Sequence, residues 1–260
     1  MKIDIQEVIN IVRQAGEMFK NRDFDVEIKT SISDKVTSMD IAVEEFLKEH
    51  LTKLISGCGF WGEESDPHAL ENEYVWVVDP IDGTANFVRD LMTSCVAVAL
   101  LKDKQPIMGV VFNPYRDEMF CAELNGGAYL NGKEIVVSDK PFSEGMYYTS
   151  LAPYNKEDVK VALNILEEVY LQSDDMRRFG SAEIELCLLA CGRADLYFEV
   201  RLNPWDYAAG GLILTEAGGY MGIPFMDEVV YEGPTAFFAA NSKVNFEKLK
   251  GIVEKHMDNE

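Results

Sequence analysis

Two aspartates, a proline, a glycine and a threonine follow an apolar run in Val77-Val78-Asp79-Pro80-Ile81-Asp82-Gly83-Thr84. Proline has no backbone N–H, so the strand that carries this run is expected to end at Pro80. Asp79 and Asp82 are then held close together on a tight turn, where two carboxylates repel each other unless a cation lies between them. Gly83 and Thr84 suit a turn that opens a helix, whose free N–H groups favour an anion. The segment therefore predicts a cation site beside a phosphate site.

Two further acids occupy comparable positions, because Glu63 follows a short predicted strand and Asp206 opens a predicted helix. Folds of the α/β class place ligands at the carboxyl ends of strands and at such helix starts. One acid at such a position is usually a helix cap or a solvated side chain. Four acids together, with Gly-Thr after one pair and Trp-Asp at 205–206, argue against that interpretation for the whole set.

The donor set indicates which ion is expected. Oxygen donors without a neighbouring His or Cys favour a hard cation, Mg²⁺ or Mn²⁺, over zinc, and the backbone carbonyl of Ile81 would add one more oxygen. Magnesium suits phosphate substrates, and a water that it binds has a lowered pKa and is a usable nucleophile. Two such ions ~3.5–4 Å apart would stabilise the attacking and leaving oxygens of a phosphate monoester during hydrolysis.

Composition excludes several other classes of function. A net charge of −21 predicts a surface that repels nucleic acid, so no direct nucleic-acid contact is expected. Five scattered cysteines without a CxxC pair indicate reduced thiols and a cytoplasmic location. The acid-containing amphipathic N-terminus does not resemble a signal peptide. No apolar run approaches the ~20 residues that span a bilayer, so no membrane association is expected.

The periodicity of the apolar residues predicts how the acids are positioned. Helices are expected after Asp4 and Thr37, a loop over 28–36, a β-rich middle and alternating α and β after about residue 145. The later helices are predicted over 155–170, 181–191, 205–217 and 243–257. The longer strands are predicted over 74–78, 95–101, 107–112, 118–122, 128–130, 146–150, 194–200 and 235–240. With 47% hydrophobic residues, one domain over 1–260 is expected, with a β-rich half at about 1–143 and an α/β half at about 144–260.

Three segments together resemble the signatures of the inositol monophosphatase family. They are Gly62-Glu63-Glu64-Ser65, Asp79-Pro80-Ile81-Asp82-Gly83-Thr84-Ala85-Asn86-Phe87 and Trp205-Asp206-Tyr207-Ala208-Ala209-Gly210. The similarity covers nearly the whole chain. It implies a five-layer α-β-α-β-α sandwich of the inositol monophosphatase/fructose-1,6-bisphosphatase type, Mg²⁺ dependence, lithium sensitivity and a homodimer.

The resemblance also implies metal ligands. Glu63, Asp79 and the Ile81 carbonyl match the ligands of a first metal, whereas Asp79, Asp82 and Asp206 match those of a second. Glu63, through waters, matches a contact with a weaker third metal. Two or three Mg²⁺ ions are therefore expected, with Mn²⁺ as an alternative.

Catalytic residues follow from the same resemblance. Thr84, assisted by Asp40, matches the residue that orients the nucleophilic water together with Glu63, which makes these three and Asp82 the predicted catalytic residues. Asp40 lies in Asp34-Lys35-Val36-Thr37-Ser38-Met39-Asp40, which is similar to the family's Asp-x-Val-Thr-x-x-Asp segment. A simple first-turn helix acid is a compatible interpretation of Asp40. The N–H groups of Gly83 and Thr84 would hold the phosphate.

The segment Gly180-Ser181-Ala182 matches the family's border of the sugar site, and Asp206 is expected to contact the substrate as well. Glu199 matches the acid that accepts hydrogen bonds from ring hydroxyls, and a carboxylate can accept from adjacent hydroxyls at once. The alternative for Glu199 is a salt bridge to Arg193 or Arg201.

Two further features lie near the predicted site. Lys29 matches a lysine on a mobile loop near the metals, with a solvated lysine as the alternative. After Asn86-Phe87-Val88 the family usually continues with a short turn carrying proline, which Arg89-Asp90-Leu91-Met92-Thr93-Ser94 replaces here. This departure affects the substrate rim and none of the predicted metal ligands.

The predicted reaction is hydrolysis of a small phosphorylated polyol or sugar, with inositol monophosphate favoured. Fructose 1,6-bisphosphate, adenosine 3′,5′-bisphosphate, NADP and histidinol phosphate are alternatives on the same fold. A haloacid dehalogenase type of phosphatase is a second hypothesis, although its Asp-x-Asp-Gly-Thr motif is one residue shorter than Asp79 to Thr84. A non-catalytic partner in transcription or RNA processing is the third.

Overall fold

The computed structural model of the chain describes residues 3–29, 35–65, 71–151 and 156–257. Its α-helices are α1 (Ile5–Glu17), α2 (Ser38–Leu51), α3 (Thr84–Val88), α4 (Val159–Tyr170), α5 (Ala182–Ala190), α6 (Ala208–Glu216) and α7 (Lys243–Met257). The first strands are β1 (Val26–Ile28), β2 (Lys35–Thr37), β3 (Gly59–Gly62), β4 (Tyr74–Asp82), β5 (Cys95–Lys102), β6 (Gln105–Asn113) and β7 (Glu118–Glu123). The remaining strands are β8 (Ala128–Leu130), β9 (Lys133–Ile135), β10 (Met146–Thr149), β11 (Asp175–Arg177), β12 (Leu196–Leu202), β13 (Tyr220–Gly222) and β14 (Thr235–Ala240).

Two sheets and three helical layers form the stack. In the described residues, one sheet has the strand order β3-β4-β5-β6-β7-β8-β9 and the other has the order β11-β10-β12-β14-β13. Helices α1 and α2 cover the outer face of the larger sheet, and α4 and α7 cover the outer face of the smaller one. Helices α5 and α6 lie between the two sheets. The predicted five-layer α-β-α-β-α sandwich is therefore confirmed.

The sequences of the helices explain their layers. All nine residues of α5 are buried and, apart from Glu183 and Glu185, they are apolar, as expected for a helix packed between two sheets. In α1, the buried residues form one stripe, because one side of that helix packs on the larger sheet and the other side faces solvent. None of the helices in the described ranges combines the length and apolar character needed to cross a membrane.

The predicted end of a strand at Pro80 is wrong. Strand β4 runs on to Asp82, and its pairing with β5 passes from Asp79 opposite Ala97 to Asp82 opposite Cys95. Three steps along β4 therefore face two along β5, which is a β-bulge. A bulge leaves one residue out of the ladder, so proline is tolerated there although it has no N–H to donate.

The loop predicted over 28–36 is also wrong at its ends. Strands β1 and β2 pair there in antiparallel fashion, with Ile28 opposite Lys35. The pairing is short, which is why alternation of polar and apolar residues did not reveal it. Residues 30–34, the centre of that predicted loop, lie outside the described residues.

Gly109 on β6 allows α6 to approach the larger sheet. A Cβ added at Gly109 would lie 2.7 Å from the carbonyl oxygen of Ala209, which is a backbone atom. We expect Gly109→Ala to lower the free energy of unfolding by about 1–3 kcal/mol through overpacking, measured by urea denaturation. Gly251→Ala is the matched control, because Gly251 lies in exposed helix with no atom near the new Cβ and should gain roughly 0.5–1 kcal/mol. Equal effects of the two changes would contradict this account of the packing.

Candidate active site

The bulge at the end of β4 leads directly into the short helix α3. The Ile81 N–H donates to Asp79 Oδ1 at 2.9 Å, which fixes the Asp79 carboxylate over its own turn. Gly83 precedes α3 with φ of 88°, and a Cβ there would lie 3.1 Å from the carbonyl oxygens of Thr93 and Gly180. Glycine is required at this position because its backbone is left-handed and two other segments approach it closely. Asp79, Ile81 and Gly83 thus lie on one continuous bulge and turn.

Asp40 and Thr84 are in contact, as predicted. The Thr84 hydroxyl lies 3.0 Å from Asp40 Oδ1 and 3.1 Å from the Ile81 carbonyl oxygen. The other Asp40 oxygen accepts from the backbone N–H and the hydroxyl of Thr37, in the capping box that begins α2. Asp40 is fully buried. Helix capping and contact with Thr84 are therefore served by different oxygens of one carboxylate.

The Asp82 carboxylate faces the start of α5. It accepts hydrogen bonds from the Ser181 hydroxyl at 2.7 Å, the Ala182 N–H at 3.2 Å and the Glu183 N–H at 2.7 Å. Burial raises the pKa of Asp82, and these hydrogen bonds oppose that rise. Asp82 therefore joins the end of β4 to Ser181 and Ala182, two residues that were predicted to border the substrate.

Glu63 follows β3 and is paired with Lys29. The Lys29 ammonium lies 3.2 Å from Glu63 Oε1 and also binds Glu64 Oε1. Its side chain is only 24% exposed, so the alternative of a freely solvated lysine is excluded. The two acids raise the pKa of Lys29 against the opposing effect of burial. The turn that carries them is held by Glu44, which accepts from the Glu64 N–H at 2.9 Å and from the Ser65 hydroxyl.

Asp206 lies in a 3-10 helix, Pro204–Asp206, just before α6. The predicted helix over 205–217 therefore begins later, at Ala208, and ends at Glu216. Asp206 Oδ2 accepts from the Asn203 N–H at 2.6 Å, which caps the short helix. Burial raises the pKa of Asp206 to about 8, and the neighbouring Asp82 contributes to that rise. Asp206 therefore belongs to the same acidic group as Asp82.

The four predicted metal-binding acids influence one another electrostatically. Burial raises the pKa of Glu63 to about 8 and that of Asp79 well above its usual range, and neighbouring acids raise both further. Like charges this close are stable together only when a cation or protons neutralise them. The donors are all oxygens, which is the chemistry that Mg²⁺ requires.

The four acidic side chains are not arranged as a complete metal-binding site. Among the residues that the structure describes, no group of three or more His, Cys, Asp or Glu side chains is placed to hold a metal ion. Each acid instead has a protein partner, namely Lys29 for Glu63, the Ile81 N–H for Asp79, the start of α5 for Asp82 and Asn203 for Asp206. The residues fit a divalent cation by donor type and charge, and binding one requires some of these carboxylates to turn.

Glu199 lies in the middle of β12, which runs on to Leu202 and so ends later than predicted, and it is buried. Its predicted alternative partners are engaged elsewhere, since Arg193 pairs with Glu118 and Arg201 with Asp158. Burial raises the pKa of Glu199 well above its usual range, and Glu185 adds to the rise. A buried acceptor without either predicted salt bridge is consistent with the proposed contact to substrate hydroxyls.

Gly180 is held beside α3 by Asn86, for which the sequence alone predicted no role. The Asn86 side-chain amide lies within 3.1 Å of three carbonyl oxygens, those of Thr93, Phe179 and Gly180. Gly180 has φ of 74°, and its N–H donates to Glu185 Oε1. Asn86 therefore ties the atypical 89–94 loop and the segment before α5 to the start of α3.

The sequence also yielded no prediction for two buried acids near the site, Glu183 and Glu185. Both are fully buried at the start of α5, and within the part of the chain that the structure describes Glu185 Oε2 has no hydrogen-bond partner. Two acids inside an otherwise apolar helical stretch were the available signal. It was hidden because first-turn acids are common and usually solvated.

Comparison with known proteins agrees with this geometry. The family model described as "Inositol monophosphatase family" matches residues 2–258. Inositol monophosphatase 2 of Solanum lycopersicum is 37% identical over 222 residues, covering 81% of this chain and 83% of the relative. Nus factor SuhB of Xylella fastidiosa is 35% identical over 226 residues, covering 84% and 81%. A Thermotoga maritima IMPase of known structure is 27% identical and has a TM-score of 0.87. The match covers 98% of this chain and 98% of that chain. The chain therefore belongs to the inositol monophosphatase family and is a phosphoric monoester hydrolase.

Proposed function

We propose that this enzyme hydrolyses a small phosphate monoester with Mg²⁺, and that myo-inositol monophosphate is the favoured substrate. The observation that carries the proposal is the acidic group at the end of β4, with a threonine hydroxyl held beside it. Glu63, Asp79, Asp82 and Asp206 supply the charge, and Thr84 on Asp40 supplies the hydroxyl.

The proposed metal ligands are those of the family. Glu63, Asp79 and the Ile81 carbonyl would hold one ion, and Asp79, Asp82 and Asp206 a second. A third, weaker ion near Glu63 and replacement of Mg²⁺ by Mn²⁺ belong to the same proposal. When bound, such ions neutralise the phosphate and lower the pKa of a water molecule.

The protein groups orient the reactants. Because the Thr84 hydroxyl donates to Asp40, the lone pairs of Oγ1 are free to accept a hydrogen bond from a water, and Glu63 would take the one proton that this water loses. Gly83 and Thr84 begin α3, so their N–H groups lack an acceptor within the helix and favour the phosphate oxygens. The water would then attack phosphorus and the ester P–O bond would break. The leaving alkoxide would take a proton from a solvent water to become the free alcohol, and the proton on Glu63 would return to solvent.

The substrate class follows from Glu199 and its surroundings. Glu199, Asp206 and the Gly180-Ser181-Ala182 segment would contact the substrate. A second phosphate would require a basic cluster near Gly180. Two arginines lie just before that segment. Arg177 already donates to Asp175 and to the Met176 carbonyl, and the charge of Arg178 is opposed by the nearby acids Glu185 and Glu199, whose pKa values it lowers. This favours a monoester over a bisphosphate or NADP.

We expect Glu199→Gln to raise KM for myo-inositol 1-phosphate by about 10- to 100-fold, because a charged acceptor for ring hydroxyls contributes roughly 1.5–3 kcal/mol. Hydrolysis of p-nitrophenyl phosphate, which has no ring hydroxyls, should change less than about threefold. Steady-state phosphate release on both substrates measures this. Equal losses on the two esters would show that Glu199 supports the metal site and does not recognise the polyol.

The experiment that tests the function as a whole is a phosphate-release screen with and without Mg²⁺ and lithium. It compares inositol monophosphates with fructose 1,6-bisphosphate, adenosine 3′,5′-bisphosphate, NADP and histidinol phosphate. We expect the highest kcat/KM with an inositol monophosphate, and inhibition by lithium. A clear preference for one of the other esters would replace the substrate and leave the reaction class unchanged.

A non-catalytic role is the second candidate, because one relative is named a Nus factor. Capture of transcription components by a catalytically inactive variant with normal cellular function would support it. The homodimer, the cytoplasmic location and the single domain over 1–260, divided near residue 143, stay predictions. Light scattering, cell fractionation and limited proteolysis test them in that order.

A further inference from the structure

Glu183 connects the two helices of the central layer at the point where both reach the acidic group. Its N–H donates to Asp82 Oδ2 at 2.7 Å. Its carboxylate accepts from the Ala209 N–H at 3.2 Å and from the Gly210 N–H. One fully buried residue therefore contacts Asp82 through its main chain and α6 through its side chain.

The bonds to α6 fall next to Asp206. Asp206 ends the 3-10 helix, and α6 begins two residues later at Ala208. The N–H groups of the first turn have no acceptor within the helix, so Glu183 supplies the acceptor for two of them. Rotation or sliding of α6 would break these bonds and would carry Asp206 with it.

Helices α5 and α6 are packed too closely to admit a side chain at Gly210. A Cβ added at Gly210 would collide with Glu183 Oε2 and would lie 2.9 Å from Leu186 Cβ. Helix α6 therefore rests directly on the carboxylate and on the next turn of α5. Among the described residues, no lysine or arginine forms an ion pair with Glu183, and its carboxylate accepts from these two N–H groups.

We propose that Glu183 is a positioning residue that sets the separation of Asp82 and Asp206 and thereby the affinity for divalent cations. The inference rests on the proposed function, because it concerns two of the proposed metal ligands. Residues that orient metal ligands without touching the metal typically change metal affinity by about 10- to 100-fold when replaced.

Two substitutions separate the reach of Glu183 from its charge. Glu183→Asp keeps the charge but is one methylene shorter, so it no longer spans to the Ala209 and Gly210 N–H groups. Glu183→Gln keeps the reach and one acceptor oxygen but loses the charge. Asp195→Asn is the matched control, because Asp195 is a buried acid that accepts from the Met146 N–H and the Ser138 hydroxyl at the opposite end of the parallel strands β10 and β12.

The measurement is Mn²⁺ binding to chelator-treated protein, followed by the electron paramagnetic resonance signal of the free ion, with thermal unfolding of each variant alongside. We expect about tenfold weaker binding for Glu183→Asp, a smaller loss for Glu183→Gln and none for Asp195→Asn. Wild-type affinity in Glu183→Asp with a loss in Glu183→Gln would mean that the length of the side chain does not matter and would overturn the proposal. Wild-type affinity in both would overturn it as well.

If Glu183→Asp does not fold, the amide variant decides, and an affinity equal to that of Asp195→Asn then contradicts the proposal. Failure of the proposed function looks different. In that case the wild-type protein itself binds no Mn²⁺ and releases no phosphate from any ester in the screen.

Discussion

Replacing Asp79 by asparagine is expected to lower Mg²⁺-dependent phosphate release by at least about 10³-fold while the fold stays intact. Asp79 is the one side chain proposed to touch both metals, and bound metal supplies several kcal/mol of transition-state stabilisation. Asparagine keeps the size of the side chain and one acceptor oxygen for the Ile81 N–H. The expected stability is equal to or above that of the wild type without metal, because a buried repelling charge is removed.

Asp206→Asn should behave in the same way, and Asp195→Asn serves as the control for loss of a buried acid elsewhere. The measurements are phosphate release under Mg²⁺ saturation and thermal unfolding of each apoprotein. Undiminished turnover in either site variant would contradict the proposed assignment of the metal ligands. Trapping of a phosphorylated Asp79 would point to the haloacid dehalogenase chemistry, in which the aspartate is the nucleophile.

The parts of the site that lie on contiguous segments could be predicted from the sequence. Asp79, Asp82, Gly83 and Thr84 are separated by at most five positions, so a local turn is enough to bring them together. The distant partner Asp40 was found only through the family resemblance, because 44 positions separate it from Thr84. Its contact depends on how α2 packs against the larger sheet, which hydrophobic periodicity does not specify.

Glu183 shows the limit of such prediction. Its contacts reach back 101 positions to Asp82 and forward 26 and 27 positions to Ala209 and Gly210. A glutamate in the first turn of a helix is ordinarily a solvated residue near the positive end of the helix dipole. Only the burial of α5 between two sheets turns the same residue into a link between helices.

The bulge at Pro80 was missed for a related reason. Proline was expected to end the strand because it removes a donor from the ladder. The tertiary structure instead places Pro80 where one residue of β4 is unpaired anyway, so the strand continues to Asp82. This matters for the site, because the bulge lets Asp79 and Asp82 belong to one strand while a carbonyl between them, that of Ile81, lies within reach of Thr84.

Thr84→Val is expected to lower kcat by about 10²- to 10³-fold with little change in KM, because a misplaced reacting group alone can cost about 10²-fold and the proton transfer to Glu63 would be disturbed as well. Valine has the same shape as threonine and lacks only the hydroxyl, so helix α3 and its N–H groups remain. The loss would come from the water, which would no longer have an oriented acceptor on the side of Asp40.

Thr84→Ser is the matched control, because serine restores the hydroxyl and should return activity to within about tenfold of the wild type. Since Asp40 Oδ2 remains engaged by Thr37, the carboxylate stays in place in both variants and only the group between it and the water differs. Steady-state kinetics at saturating Mg²⁺ measure the two effects. A valine variant that raises KM and keeps kcat would show that the hydroxyl binds substrate phosphate and does not orient the water, because uniform binding affects KM alone.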